Sequence, residues 1–268
     1  MNAKRDFRRA LVAVCIGMAA AADATAAASD LTKSVHVESY RPIYTNDWRS
    51  GIGDLEFQEA RRSDITWVAD PADPARRSIR VQIQKSENFA DLINGLPRAE
   101  FTLPREIVFS PGHDYLIWWR TYLPRDFAFD RQQMEIITQI HQSGLTGSPP
   151  FMLTLLGNEY TFSVRGGTNT VHGYGGSLCC ASDDRGKWAD WVLQYTPDAS
   201  GEHAITHLWK NGTSVFEGSG KPNAYPGDVN AYLKFGVYKP GWQTDPSDID
   251  AITLYFGKVA VGDRKARQ

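Results

Sequence analysis

Apolar and polar residues alternate at every second position in segment after segment of this chain, and no comparably long stretch keeps a 3.6-residue period. Ile79, Val81 and Ile83 alternate with Arg80, Gln82 and Gln84, while Tyr160, Phe162 and Val164 alternate with Thr161, Ser163 and Arg165; Ile252 to Phe256 behaves likewise. Successive side chains of a β-strand point to opposite faces, so this period puts one set into a core and the other onto a surface. Asn211-Gly212, set between Leu208 and Phe216, reads as a hairpin with a type I′ turn, because both central positions of that turn need positive φ. Many short alternating strands in about 240 residues predict an all-β fold of two antiparallel sheets packed face to face, a sandwich or jelly roll. One or two short helices are expected at most, one near Glu87 to Ile93. The Gly- and Pro-rich stretches Ser143 to Pro150 and Arg165 to Gly176 read as loops that cover sheet edges or overhang the cleft.

Residues 1–26 read as a secretory signal: Lys4, Arg5, Arg8 and Arg9 precede an apolar run from Ala10 to Ala22 that is too short to span a bilayer, with a small-residue cleavage pattern at Ala24-Thr25-Ala26. A secreted or periplasmic protein is expected, with residues 27–268 as one domain and no membrane attachment once the signal is removed. The signal holds four of the 29 Lys and Arg and two of the 31 Asp and Glu, so its loss leaves a net charge of −4. That mild acidity argues against nucleic acid held on a broad basic face. After the signal only Cys179 and Cys180 remain, and being adjacent they form either a vicinal disulfide or two free thiols rather than a long-range framework. The eight Trp and eleven Tyr exceed what a core requires; aromatic faces stack on sugar rings, although Trp118, Trp119, Trp188 and Trp191 also suit packing.

Three short segments carry ionisable side chains at strand spacing. They are Arg98-Ala99-Glu100, Gln139-Ile140-His141 and Tyr232-Leu233-Lys234-Phe235-Gly236-Val237-Tyr238. If the strands share a sheet, Arg98, Glu100, Gln139, His141, Tyr232, Lys234 and Tyr238 line one surface and the apolar residues between them enter the core. Such a surface suits an acidic sugar chain. His36, His113, His172, His203 and His207 lack comparable company and read as structural or exposed. Asp245, Asp248 and Asp250 could offer oxygens to a structural calcium ion, but their spacing is not that of an EF-hand loop, and a solvated acidic turn is the simpler reading. No metal site, phosphate-binding loop or organic cofactor is expected.

At these three segments the chain resembles the jelly-roll polysaccharide lyases, the group that includes alginate lyases, glucuronan lyases and heparin lyase I relatives. Trp118-Trp119-Arg120-Thr121-Tyr122-Leu123-Pro124 and Leu208-Trp209-Lys210-Asn211-Gly212 extend the resemblance over residues 60 to 260. Phe101, Phe235 and Lys239-Pro240 depart from the alginate-lyase pattern, which bears on the substrate more than on the chemistry, because the polar positions are kept. The resemblance implies a β-jelly-roll sandwich with a concave substrate cleft and a carbon-oxygen lyase that cuts a 4-linked uronate polymer by β-elimination; a cleft-bearing sandwich of this size can work as a monomer.

In that reaction the C5 proton of a uronate leaves and the bond from C4 to the glycosidic oxygen breaks. The carboxylate beside C5 resists this unless its charge is neutralised. Arg98 can bind it bidentately and Gln139 can donate to it. His141, with an ordinary pKa of about 6.5, can share in this or take the proton. Tyr238 matches the family position that protonates the leaving oxygen, and could itself be the base where the C5 hydrogen and O4 lie on the same side of the ring. Arg98 and Lys234 are expected to depress its phenol below the usual value of about 10, giving an alkaline optimum. Lys234, Tyr232 and Glu100 are candidate substrate-binding residues, with Asn94, Arg120 and Arg165 as possible subsites. Two other functions fit the same surface: a non-catalytic carbohydrate-binding module, and a heparin or glycosaminoglycan lyase. A glycoside hydrolase, which needs two carboxylates flanking the bond, ranks last because Glu100 is the only carboxylate in the three segments.

Overall fold

The alternation becomes two antiparallel sheets packed face to face. The computed structural model describes residues 36–144 and 147–266; the predicted signal lies outside them. The strands in chain order are β1 (Arg41–Asn46), β2 (Glu56–Glu59), β3 (Ile65–Ala69), β4 (Arg77–Gln84), β5 (Arg98–Thr102), β6 (Val108–Phe109), β7 (His113–Tyr122) and β8 (Glu135–His141). Then come β9 (Phe151–Leu156), β10 (Glu159–Gly166), β11 (Asn169–Cys179), β12 (Trp188–Thr196), β13 (Ile205–Lys210), β14 (Thr213–Ser219), β15 (Ala231–Tyr238) and β16 (Ala251–Lys265). One sheet runs β14-β13-β12-β7-β16-β4-β3 with β1 added on β16, and the other runs β11-β10-β9-β8-β15-β5-β2 with β6 added on β15. The chain crosses between the sheets repeatedly, which gives the jelly-roll sandwich expected from the sequence.

The core sits where the two inner faces meet. Phe101 from β5, Phe235 from β15 and Phe256 from β16 pack with ring centroids 5.4 to 5.6 Å apart, and Trp119 of β7 stacks on Trp191 of β12. All five are fully buried, and each aromatic ring removes a large apolar area from water. Trp119 and Trp191 are therefore core residues, whereas Trp118 and Trp188 turn to the opposite face of their strands.

The Asn211-Gly212 turn joins β13 to β14 with φ of 50° and 80°, as a type I′ turn requires. Two expectations are corrected. No α-helix forms near Glu87 to Ile93; the Glu87 carboxylate accepts the Gln84 N–H, and only a short 3-10 turn, Ile93–Gly95, follows. The stretch Arg165 to Gly176 is not an overhanging loop but mostly β11, paired with β10. Its glycines are read as loop signals in the sequence, yet here they permit close strand approach: a Cβ on Gly175 would stand 1.9 Å from the Phe162 carbonyl oxygen. The Cys179–Cys180 disulfide forms at the end of this strand.

The two ends of the described chain lie side by side. β1 pairs with β16, setting Arg41 opposite Asp263, and the Asp114 carboxylate accepts from the Tyr40 hydroxyl at 2.9 Å and from Arg264 Nη2 at 2.7 Å.

Candidate functional site

β8, β15 and β5 are neighbours, and their register decides which side chains meet. Tyr232 faces His141, Lys234 faces both Gln139 and Thr102, Gly236 faces Glu100, and Tyr238 faces Arg98. The alternate residues Ala99, Phe101, Ile140, Leu233, Phe235 and Val237 are buried in the core. Arg98, Glu100, Gln139, His141, Tyr232, Lys234 and Tyr238 thus share the face of this sheet turned away from its partner.

Glu100 organises the middle of that face. Its Oε2 accepts from Lys234 Nζ at 2.6 Å and lies 3.6 Å from Arg98 Nη1, while its Oε1 accepts from Gln139 Nε2. Gln58 of β2, opposite Glu100, turns its Oε1 to Lys234 Nζ at 3.0 Å and to Arg98 Nη1 at 3.3 Å. Arg98, Glu100, Gln139 and Lys234 are all buried, so the network holds its donors in fixed positions with little water competing. Two cations against one carboxylate leave a surplus positive charge for an acidic ligand. The sequence reading missed Gln58 because a short edge strand reading Glu-Phe-Gln-Glu carries no motif; only the pairing of β2 with β5 reveals it.

His141 and Tyr238 flank this network. His141 Nδ1 lies 2.7 Å from the Gln142 carbonyl oxygen, to which it must donate, so Nε2 holds the lone pair of the neutral ring. Burial pushes the His141 pKa below its usual value, and the nearby Lys234 and Arg98 charges act the same way, against the Gln142 hydrogen bond and Glu100. The ring is therefore a neutral base at neutral pH. Tyr232 packs beside it, ring centroids 5.3 Å apart. At the other end the Arg98 guanidinium lies over the Tyr238 ring at 4.1 Å. The expected depression of the Tyr238 phenol is overturned: burial raises its pKa, and the opposing Arg98 charge does not prevail. Tyr238 is a proton donor over the neutral range. Burial likewise lowers the Lys234 pKa, with Glu100 opposing.

Between Lys234 and Tyr238 the row has a gap. Gly236 has φ of 140°, and a Cβ there would lie 2.1 Å from the Ala99 carbonyl oxygen, so no other residue fits. The glycine lets β15 approach the β5 backbone at Ala99 and Glu100, and it leaves no side chain in the row between the Lys234 ammonium and the Tyr238 phenol. A cavity of about 370 Å³, lined by Gln58, Tyr232, Thr102, Arg105 and Asn230, borders the row at Gln58 and Tyr232.

The remaining sequence candidates divide. Arg165 of β10 shares the site face, because Ser163, to whose Oγ its Nη1 donates, sits in register with Met152 and hence with Gln139. Asn94 is exposed in the turn entering β5, with φ of 63°. Arg120 does not belong to this face at all: it lies on β7 of the other sheet, turned outward and paired with Asp190 at 2.9 Å. Among the described residues, no cluster of three His, Cys, Asp or Glu side chains is arranged to hold a metal ion; Asp248 instead accepts from Arg131 and Gln132.

Behind the site lies a second group that the sequence shows only as a departure from the family pattern. Lys239 follows Tyr238 and points inward, where its fully buried ammonium meets Glu135 Oε2 at 2.7 Å, Asp130 Oδ2 at 3.0 Å and the Gln133 carbonyl oxygen at 3.0 Å. Burial raises the Glu135 pKa to about 7 against the pull of Lys239. Asp130 moves the other way: burial pushes it up, but the donors Ser247, the Gln132 N–H and Lys239 hold it below the usual range.

Comparison with known proteins agrees with this architecture. A glucuronan lyase from the fungus Trichoderma reesei superposes with a TM-score of 0.63 at 16% identity, over 83% of this chain and 95% of that one. The alginate lyase Aly36B, in complex with an alginate trisaccharide, superposes at 0.52 with 13% identity over 83% and 98%. A botulinum neurotoxin type C chain shares the sandwich at 0.54 and 10% identity, over 86% of this chain and 49% of that one. No curated protein matches the chain by sequence. The sequence profile of the family described as polysaccharide lyase, however, matches residues 44–260, a span that contains every residue of the charged row, and the chain belongs to that family.

Proposed function

We propose that this polysaccharide lyase is an exported, monomeric enzyme that cuts a 4-linked uronate polymer, glucuronan-like or alginate-like, by β-elimination. The observation that carries the reading is the surplus positive charge built by Arg98 and Lys234 around Glu100, set between a neutral imidazole and a protonated phenol. The glucuronan and alginate lyases among the structural neighbours support the substrate class.

The sugar carboxylate takes Arg98 and the second amide hydrogen of Gln139, so the negative charge that grows on deprotonation falls on donors already fixed by Glu100 and Gln58. On an L-configured uronate His141 Nε2 removes the C5 proton. The electron pair left at C5 forms the double bond to C4, the bond from C4 to the glycosidic oxygen breaks, and Tyr238 protonates that oxygen. The register offsets Tyr232, which faces His141, from Tyr238 by six residues, at most about 20 Å of strand, shortened by a bulge in the β8–β15 pairing and by the reach of both side chains. A base and an acid on opposite sides of the ring suit an L-configured uronate; a D-configured one would use Tyr238 for both transfers.

The test is incubation with glucuronan, alginate and heparin, followed by ultraviolet absorbance of the unsaturated uronate end and product mass. Absorbance growing with at least one polymer is expected. Folded protein that binds such polymers yet releases no unsaturated product overturns the reading in favour of a binding module.

A further inference from the structure

The outer face of the opposite sheet carries its own groove, of about 670 Å³. Trp118 and Arg120 reach it because they alternate on β7 with the buried Ile117 and Trp119. Trp118 is 40% exposed, an unusual position for so large an apolar ring on a sheet face, and at the rim Trp67 is 43% exposed. Cations crowd the same place. Arg49, Arg76 and Arg120 are each held by one carboxylate, Asp47, Asp73 and Asp190 in turn. Two more cations are not: among the described residues Arg77 and Lys258 have no carboxylate partner, and each lies over an indole, Arg77 at 4.7 Å from the Trp67 ring and Lys258 at 5.0 Å from the Trp118 ring. The groove therefore carries two uncompensated positive charges in a chain whose formal net charge is −2.

We infer that this groove is a second, non-catalytic binding site for an acidic polysaccharide segment. An exposed indole offers a sugar ring an apolar face, and a cation beside it with no carboxylate partner meets the sugar's carboxylate; neither feature contributes to the core, and no part of the elimination chemistry uses them. Charge complementarity selects an anionic glycan over a neutral one. A long polymer seated here stays tethered to the molecule while another stretch of it reaches round to the cleaving face, which raises its effective concentration there. The inference borrows only the ligand class from the proposed function.

Affinity electrophoresis through gels containing glucuronan or alginate tests it, since retardation requires no cleavage. Two variants are compared with the parent protein, Trp118→Ala and the double change Arg77→Ala with Lys258→Ala; the second keeps every aromatic ring and protects the test against misfolding of the first. Both should lose about tenfold of the retardation, the double variant's loss should shrink in high salt, and both should raise KM on long polymer while leaving turnover of a short oligosaccharide unchanged. Unchanged retardation of the double variant overturns the inference, as does a parent protein that no acidic polymer retards. If retardation depends on the groove but no polymer is cleaved, the proposed function falls and the groove stands.

Discussion

Lys234 Nζ lies 2.6 Å from Glu100 Oε2, with both side chains 2% exposed, in the middle of the face that bears the proposed chemistry. An ion pair taken this far out of water gains little over an apolar pair, but losing one partner strands the other. Its place here is explained by what it holds: the carboxylate that fixes Lys234 also fixes Gln139 and stands beside Arg98.

Replacing Glu100 with Gln should therefore damage both fold and function. The ammonium of Lys234, already pushed below its usual pKa by burial, loses the charge that opposes that shift. A loss of about 3 kcal/mol in urea unfolding is expected, with a large fall in kcat/KM. Stability within about 0.5 kcal/mol of the parent would remove Glu100 from its organising role.

The pH profile follows from the directions of two shifts. Activity through His141 as base needs the neutral ring, whose pKa lies below its usual value, so the acid limb of kcat/KM should fall below the ordinary histidine range. Tyr238, raised by burial, keeps its proton well into alkaline solution. A broad plateau from neutral to alkaline pH is expected. A rate that keeps climbing through pH ~10 would assign the base to the Tyr238 phenolate instead.

Tyr238→Phe should lower kcat by about 10²- to 10⁴-fold with KM changed only a few-fold, because the ring over Arg98 remains and only the proton is lost. Tyr232→Phe is the control. Its hydroxyl has no assigned proton transfer, and its ring still packs on His141. Equal losses in both variants would contradict the assignment.

Lys239→Met leaves Glu135 and Asp130 buried without their cation and should cost about 3–5 kcal/mol. The pH dependence has a definite sign. Glu135 binds its proton more tightly folded than unfolded, with a pKa of about 7 against 4.5, so its contribution is fullest below the unfolded value and is lost as pH rises through 7. Asp130, held low, contributes above its unfolded value of 3.8 and loses this as pH falls. In the variant the penalty should grow from pH 5 to pH 8, measured by urea unfolding across that range.

Gly236→Ala should fold poorly or not at all, since the new methyl group would meet the Ala99 carbonyl oxygen. If it does fold, activity should fall sharply, because the methyl group pushes the β5 backbone at Ala99 and Glu100 and displaces the carboxylate that positions Lys234 and Gln139. A folded and fully active variant would show that the close approach of β15 to β5 does not position Glu100.

Period and motif spacing make much of this legible in the sequence. Arg98, Glu100, Gln139, His141, Tyr232, Lys234 and Tyr238 could be placed on one face because each lies within a strand whose intervening residues are apolar. The same rule failed for Arg120: alternation reveals which face of its own strand a residue takes, but not which sheet that strand joins. Gln58 carried no local signal. The direction of the Tyr238 shift is not legible in the sequence, because charge can be read there whereas desolvation depends on how deeply the ring is packed. The glycines of β11 read as loop residues in the sequence because close strand approach and turn formation favour the same residue.

The pairing of β1 with β16, together with the shared grip of Tyr40 and Arg264 on Asp114, brings residues 36 and 266 to the same corner of the sandwich. A short bridge could therefore close the polypeptide into a ring, and the exposed Asn211-Gly212 hairpin offers a place to reopen it. Such a circularly permuted enzyme would keep its charged row intact, because neither the seam nor the new opening touches β5, β8 or β15.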